Sequence, residues 1–277
     1  MAGQVSFTVE SLQGPRTVTL EYERAGSGQP LLLLHGIGHH WQAWQPVLDI
    51  LAAERDVIAV DLPGFGSSPA LPDGLPYDLP TVGRVLGMLC ETLDVDRPHV
   101  AGNSLGGLLA LELGRERRVR SVTALAPAGF WNESERRYAF GTLRAMRTGA
   151  ESLPLPVIER MSRSAAGRAA LTSTVYAHPG RRSPEAVVAE TLALRHASGF
   201  HPTLTAGRDV LFTHDVPGVP VTIAWGTRDR LLLRRQGVRA KRAIADARLV
   251  SLPGCGHVPM SDDPALVARV LLDGSRR

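Results

Sequence analysis

The sequence has almost no lysine and almost no cysteine. Lys241 is the sole lysine in 277 residues, so nearly all of the basic residues are arginines; such a skew reads as coding bias. The formal charge is +4 and the pI is near 9.6, yet no basic stripe interleaved with aromatics appears, and aromatics make up only 5% of the chain. That argues against a nucleic-acid surface. Cys90 and Cys255 are too few for a disulfide framework and fit a reducing compartment. No run approaches the ~18 apolar residues of a spanning helix. Residues 1–14 (MAGQVSFTVESLQG) lack the basic and apolar regions of a leader. No metal-ligand spacing is present. Together these absences lead us to expect a soluble, cytoplasmic protein with no membrane span, no nucleic-acid partner, no metal and no cofactor; a homodimer is compatible with them.

With 44% hydrophobic and 21% charged residues, the chain can bury a large core. Residues 18–26 (VTLEYERAG) alternate apolar and polar side chains, as an edge or half-buried strand does. The stretches 31–34 (LLLL), 56–62 (DVIAVDL), 98–102 (PHVAG) and 122–127 (VTALAP) are short, apolar runs bounded by turn residues, the pattern of strands buried on both faces. Between them, residues 41–54 and 79–93 read as helices. Such alternation predicts a mostly parallel sheet covered by helices on both faces, an α/β architecture. From Gly129 to about Asp215 there is no comparable strand run, only helix-like pieces. The pattern returns at 219–226 (VPVTIAWG), 247–254 (ARLVSLPG) and 263–274 (DPALVARVLLDG). The expected organisation is therefore a core of residues 1–128 and 216–277, with a helical insertion at 129–215.

Residues 102–106 (GNSLG) lie where a buried strand turns into a helix, and they fit G-x-S-x-G. Holding Ser104 in a sparsely populated backbone conformation brings the residues two before and two after it together, and Gly102 and Gly106 are small enough. The serine then stands at the carboxyl end of the sheet above a helix N-terminus, which favours developing negative charge. A nucleophilic serine needs a base and an orienting acid. His257 follows one predicted strand in LPGCGHVPMSDDP, and Asp229 follows the strand before it in AWGTRDR. The order Ser104, Asp229, His257 suits three successive loops at one end of such a sheet. The loop HGIG (35–38) follows another buried strand and can aim the Ile37 N–H at the same point as the Leu105 N–H, an oxyanion site. His35 reads as a loop anchor. His39 and His40 are most simply solvent-exposed, with His39 kept as a candidate substrate contact. Asp61 reads as a turn anchor, and Cys255 as a small loop residue without a base of its own. Asp262 and Asp263, just before Pro264, look like helix caps. The arginines between Arg136 and Arg208 are interspersed with Glu133, Glu135, Glu151, Glu159, Glu185 and Glu190, as on a solvated helical surface.

The motifs HGIG, VDLPGFGSSP, GNSLGG, WGTRDR and GCGHVPMSDDP, in that order, resemble the α/β-hydrolase fold family of serine hydrolases. The resemblance implies a cap or lid domain for the helical insertion. It covers the core and hardly touches the insertion. Members that cleave haloalkanes or epoxides carry an aspartate at the elbow, where this chain has Ser104, so the resemblance implies acyl chemistry. The leading expectation is hydrolysis of a small carboxylic ester through an acyl-enzyme. One alternative is C–C bond hydrolysis of ring-fission products. Asn103 matches that group, Arg195 is a loose match to its cap arginine, and Val258 replaces the aromatic residue that usually follows the catalytic histidine. Another alternative is a non-catalytic ligand-binding protein on the same scaffold.

Overall fold

The computed structural model describes residues 1–276. One sheet of eight strands runs through the molecule: β1 (Ala2–Ser11), β2 (Gly14–Gly26), β3 (Pro30–Leu34), β4 (Asp56–Val60), β5 (His99–Asn103), β6 (Ser121–Leu125), β7 (Val221–Gly226) and β8 (Arg248–Leu252). Their spatial order is β1-β2-β4-β3-β5-β6-β7-β8. β2 pairs antiparallel with β1 and β4, and every pairing from β4 to β8 is parallel. The apolar runs occupy the centre: all of β5, β6 and β7 is buried, as is β3 from Leu31 onward. β8, at one edge, alternates partly buried and exposed residues until Leu252. The half-buried segment expected at 18–26 is β2, one strand in from the other edge. β1, whose burial alternates along its whole length, holds that edge.

Chain direction sets which face each helix covers. The connection from β3 through α1 (Gln45–Ala52) to β4 runs one way along the sheet. Those through α2 (Leu79–Thr92) to β5 and α3 (Leu105–Arg115) to β6 run the other way. Parallel crossovers share one hand, so α1 lies on one face and α2 and α3 on the opposite face. α1 accordingly packs on α10 (Pro264–Gly274), and α2 on α3. α9 (Arg235–Ala243) packs against β7 and β8. The reversal of strand order places a crevice between the carboxyl ends of β3 and β5, where sheets of this kind hold their ligands.

Between β6 and β7 the chain forms five α-helices and no strand: α4 (Glu133–Ser152), α5 (Leu155–Ser162), α6 (Ala165–Thr172), α7 (Pro184–His196) and α8 (Phe200–Ala206), with a short 3-10 turn at Pro179–Arg181. Their starts are written locally. Asn132 and Glu135 form a capping box on α4, while the Ser164 and Ser183 hydroxyls accept from the third backbone N–H of α6 and α7. The solvated surface expected for the charges of this segment holds for only some of them. Glu135 is buried between Arg235 and Arg239, and Arg182 is buried against Glu190. Pairing of this kind is what makes removal of such groups from water tolerable.

Candidate active site

Between β5 and α3 the chain turns at Ser104 with φ 57° and ψ −113°, a conformation whose strain is about 1–3 kcal/mol for a non-glycine residue. The surrounding backbone holds it there. Ser104 N–H donates to the Leu125 carbonyl at 3.0 Å, and its carbonyl accepts from Leu108 and Ala128. A Cβ on Gly102 would overlap the Gly106 carbonyl, and one on Gly106 would overlap the Leu34 carbonyl at the end of β3. Only glycine fits at either position.

His257 is buried in the loop after β8, and Asp229 in the loop after β7. Their side chains meet, His257 Nδ1 to Asp229 Oδ2, at 2.8 Å. The other Asp229 oxygen accepts from the Leu231 and Leu232 N–H groups, both at 2.9 Å. Every partner of Asp229 is thus a donor, the surroundings a carboxylate requires, and they assign the ring proton to His257 Nδ1. His257 Nε2 is buried with no partner in the protein. Ser104, His257, Ile37 and Asn103 all border one cavity of about 420 Å³. Leu105 opens α3, so its N–H belongs to the first turn, which lacks intrahelical acceptors.

Neighbouring residues hold this arrangement. Asn103 Nδ2 donates to the carbonyls of Leu125 (3.1 Å) and His257 (2.9 Å), tying β5 to β6 and to the histidine loop. Val258 borders the cavity and its N–H donates to the Val175 carbonyl. Asp262 does not cap α10. Its carboxylate accepts from the N–H groups of Gly256, Ala177 and His178 at 2.8–3.0 Å and joins the histidine loop to the segment before α7. Asp263 does cap α10, through Leu266 N–H. Asp61 receives Trp41 and Ser67 N–H, fixing both loops beside the crevice.

His35 accepts the Leu62 N–H at Nε2 (3.0 Å) and contacts the Gly36 carbonyl through Nδ1 (2.7 Å); burial lowers it to about 4, so it stays neutral and anchors the loop. His39 is also held neutral by burial. It is not a solvent-facing residue: it lines the cavity, 3.3 Å from the Tyr176 hydroxyl. Tyr176 donates to Glu190, which also pairs with Arg182 and borders the cavity. Burial raises Glu190 to about 7. No motif marks Tyr176, Arg182 or Glu190 in the sequence, because only tertiary packing brings them beside His39. Arg195 does not border the cavity: its guanidinium donates to the carbonyls of Ala150 and Leu153. The Cys255 thiol is buried and raised to about 12, chiefly by desolvation, which makes it a poor nucleophile.

The family model described as the alpha/beta hydrolase family matches residues 31–270. An uncharacterized protein of Mycobacterium tuberculosis is 29% identical over 256 residues, covering 87% of this chain and 73% of that protein. The pimeloyl-[acyl-carrier protein] methyl ester esterase of Aeromonas salmonicida is 37% identical over 111 residues, which span 39% of this chain and 42% of the esterase. Among solved structures, a thermophilic esterase from Thermogutta terrifontis superposes with a TM-score of 0.76 at 19% identity, covering 97% of each chain. At that identity the likeness is one of fold.

Proposed function

The chain belongs to the alpha/beta hydrolase family, and from that premise we propose that it is a serine hydrolase of carboxylic esters. In this reading Ser104 Oγ attacks the ester carbonyl and His257 Nε2 takes its proton. Asp229 keeps the imidazole in the tautomer that leaves Nε2 free and stabilises the imidazolium that forms. The Ile37 and Leu105 N–H groups stabilise the oxyanion. His257 then returns the proton to the departing alcohol, and water cleaves the acyl-enzyme by the same path. The helices at 129–215 act as a cap that shapes the substrate space.

One observation carries the proposal: a serine in a strained strand-to-helix turn shares a cavity with a buried histidine whose far nitrogen is fixed on a carboxylate at 2.8 Å. A purely ligand-binding protein has no need of either feature. C–C cleavage of an acidic ring-fission product loses support, since Arg195 spends its donors on backbone carbonyls.

The test is covalent labelling with a fluorophosphonate, followed by peptide mass spectrometry and p-nitrophenyl ester kinetics. The expected result is a single adduct on Ser104 and multiple turnovers per site. In Ser104→Ala the adduct should vanish and kcat fall on the order of 10³-fold or more. A variant keeping a tenth of the activity, or an adduct on another residue, would overturn the assignment.

A further inference from the structure

One wall of the cavity beside Ser104 is a face of α4. Thr142, Met146 and Gly149 border it, recurring every three or four residues over about 10 Å at the helical rise, and Leu153, just past the end of the helix, continues the wall. Leu171, Leu194, Leu231 and Val258 supply much of the remaining wall. No arginine or lysine borders the space, and the one carboxylate that does, Glu190, is engaged by Tyr176 and Arg182. The lining is therefore mainly aliphatic and carries no cationic side chain to pair with a carboxylate; its polar members beyond Ser104, His257 and Glu190 are Asn103, the neutral His39 and four threonines.

Gly149 is the unusual member of this wall. Glycine inside a helix weakens it relative to alanine, so its presence calls for a reason. Close packing is not the reason, since a Cβ there would meet nothing within 4 Å. Its φ lies outside the left-handed region, so the backbone does not require glycine either. What the missing side chain leaves is open cavity.

We propose that this cavity receives an uncharged aliphatic acyl chain of medium length, and that Gly149 sets the longest chain it accepts. The inference rests on the ester-hydrolase reading. A methylene occupies about as much space as a water molecule, roughly 30 Å³. A cavity of about 420 Å³ then holds an acyl chain of about eight to twelve carbons beside its ester group. A chain ending in a carboxylate would have to be desolvated against this lining without a cationic partner, and is disfavoured.

The test is a p-nitrophenyl ester series from two to sixteen carbons on the wild type, Gly149→Leu and Gly141→Leu. Gly141 lies on the same helix, is exposed, has open space around it and does not border the cavity. Leucine is the better helix former at either position, so both variants should fold. In the wild type kcat/KM should rise about fourfold per methylene up to eight to twelve carbons and then fall. Gly149→Leu should shift the optimum shorter by about four carbons, the size of the added side chain. It should lower activity on the decanoate at least ~10-fold more than on the butyrate; Gly141→Leu should match the wild type. Thermal shift with 1-alkanols of four to twelve carbons reads the chamber without turnover. Stabilisation should grow with chain length in the wild type and stop earlier in Gly149→Leu. If no ester is hydrolysed but the alkanol limits still differ, the ester reading fails and the chamber stands. Equal limits in both proteins, by kinetics or by thermal shift, would overturn the role of Gly149.

Discussion

At the scale of single residues, three aspartates near His257 separate by what each oxygen accepts. Asp229 takes the imidazole N–H and two backbone N–H groups. An asparagine there keeps the shape but presents an amide N–H to one of those donors, and the ring escapes the clash by moving its proton to Nε2, the wrong nitrogen for a base. Asp229→Asn should therefore lower kcat on the order of 10⁴-fold with little change in KM. Asp263 caps α10, where asparagine serves as well, so Asp263→Asn should leave kcat unchanged. Asp262 lies between these extremes. Its replacement weakens three charge-assisted bonds around the histidine loop and should lower stability by about 1–3 kcal/mol, with a smaller loss of kcat than at Asp229. Steady-state kinetics and thermal denaturation of the three variants check the ranking; a loss at Asp263 equal to that at Asp229 would refute it.

At the scale of elements, the strand-to-helix turn is specified by glycines more than by its serine. Gly102→Ala would drive a methyl group into the Gly106 carbonyl, and backbone cannot move aside as a flexible side chain can. The expected destabilisation is at least ~3 kcal/mol, a drop in Tm of about 6–12 °C for a chain of this size, whereas Ser104→Ala should leave Tm nearly unchanged. A calorimetric scan showing Gly102→Ala as stable as wild type would mean that the turn is looser than drawn. The same distinction explains what could be read from sequence. The central strands were legible because burial on both faces demands unbroken apolar runs, and the elbow because its sterics admit so few residue types. β1 carries no such mark: it is an edge strand with one wet face, so its composition resembles a polar terminus. The role of Asp262 leaves no local trace beside Pro264, because two of its three backbone donors come from the distant segment at Ala177 and His178. Glu190 and Arg182 look like any exposed helical charge until folding buries them together.

At the scale of the whole molecule, histidines that folding draws out of water, His35 and His99 buried and His39 and His40 half-buried rather than solvent-exposed, make the fold sensitive to acid. Burial lowers His35, His40 and His99 to about 4, and His39 well below its ordinary value. In the unfolded chain each binds a proton near pH 6.5, so the unfolded state takes up protons that the native state refuses. The stability these groups supply is complete above pH 6.5 and is lost as pH falls from there toward 4. Two buried acids oppose this. Burial raises Glu190 to about 7 and raises Asp61, so both bind protons in the native state first and favour it on acidification. Four histidines against two acids leave a net loss, and Tm should fall steadily between pH 6.5 and 4.5. The group best suited to an isolated test is His99, far from Ser104 at the opposite end of β5, where it contacts the Ser121 hydroxyl and the Gln29 amide. His99→Gln replaces a titrating ring with a neutral amide that can still reach polar partners. It should reduce the acid-side slope of unfolding free energy by up to about 1.4 kcal/mol per pH unit, the linkage of one proton. Urea titrations at half-unit intervals from pH 7 to 4.5 measure both slopes. A wild-type stability that is flat or rising toward acid, or a His99→Gln slope equal to the wild type, would contradict the assignment of these histidines as desolvated and neutral.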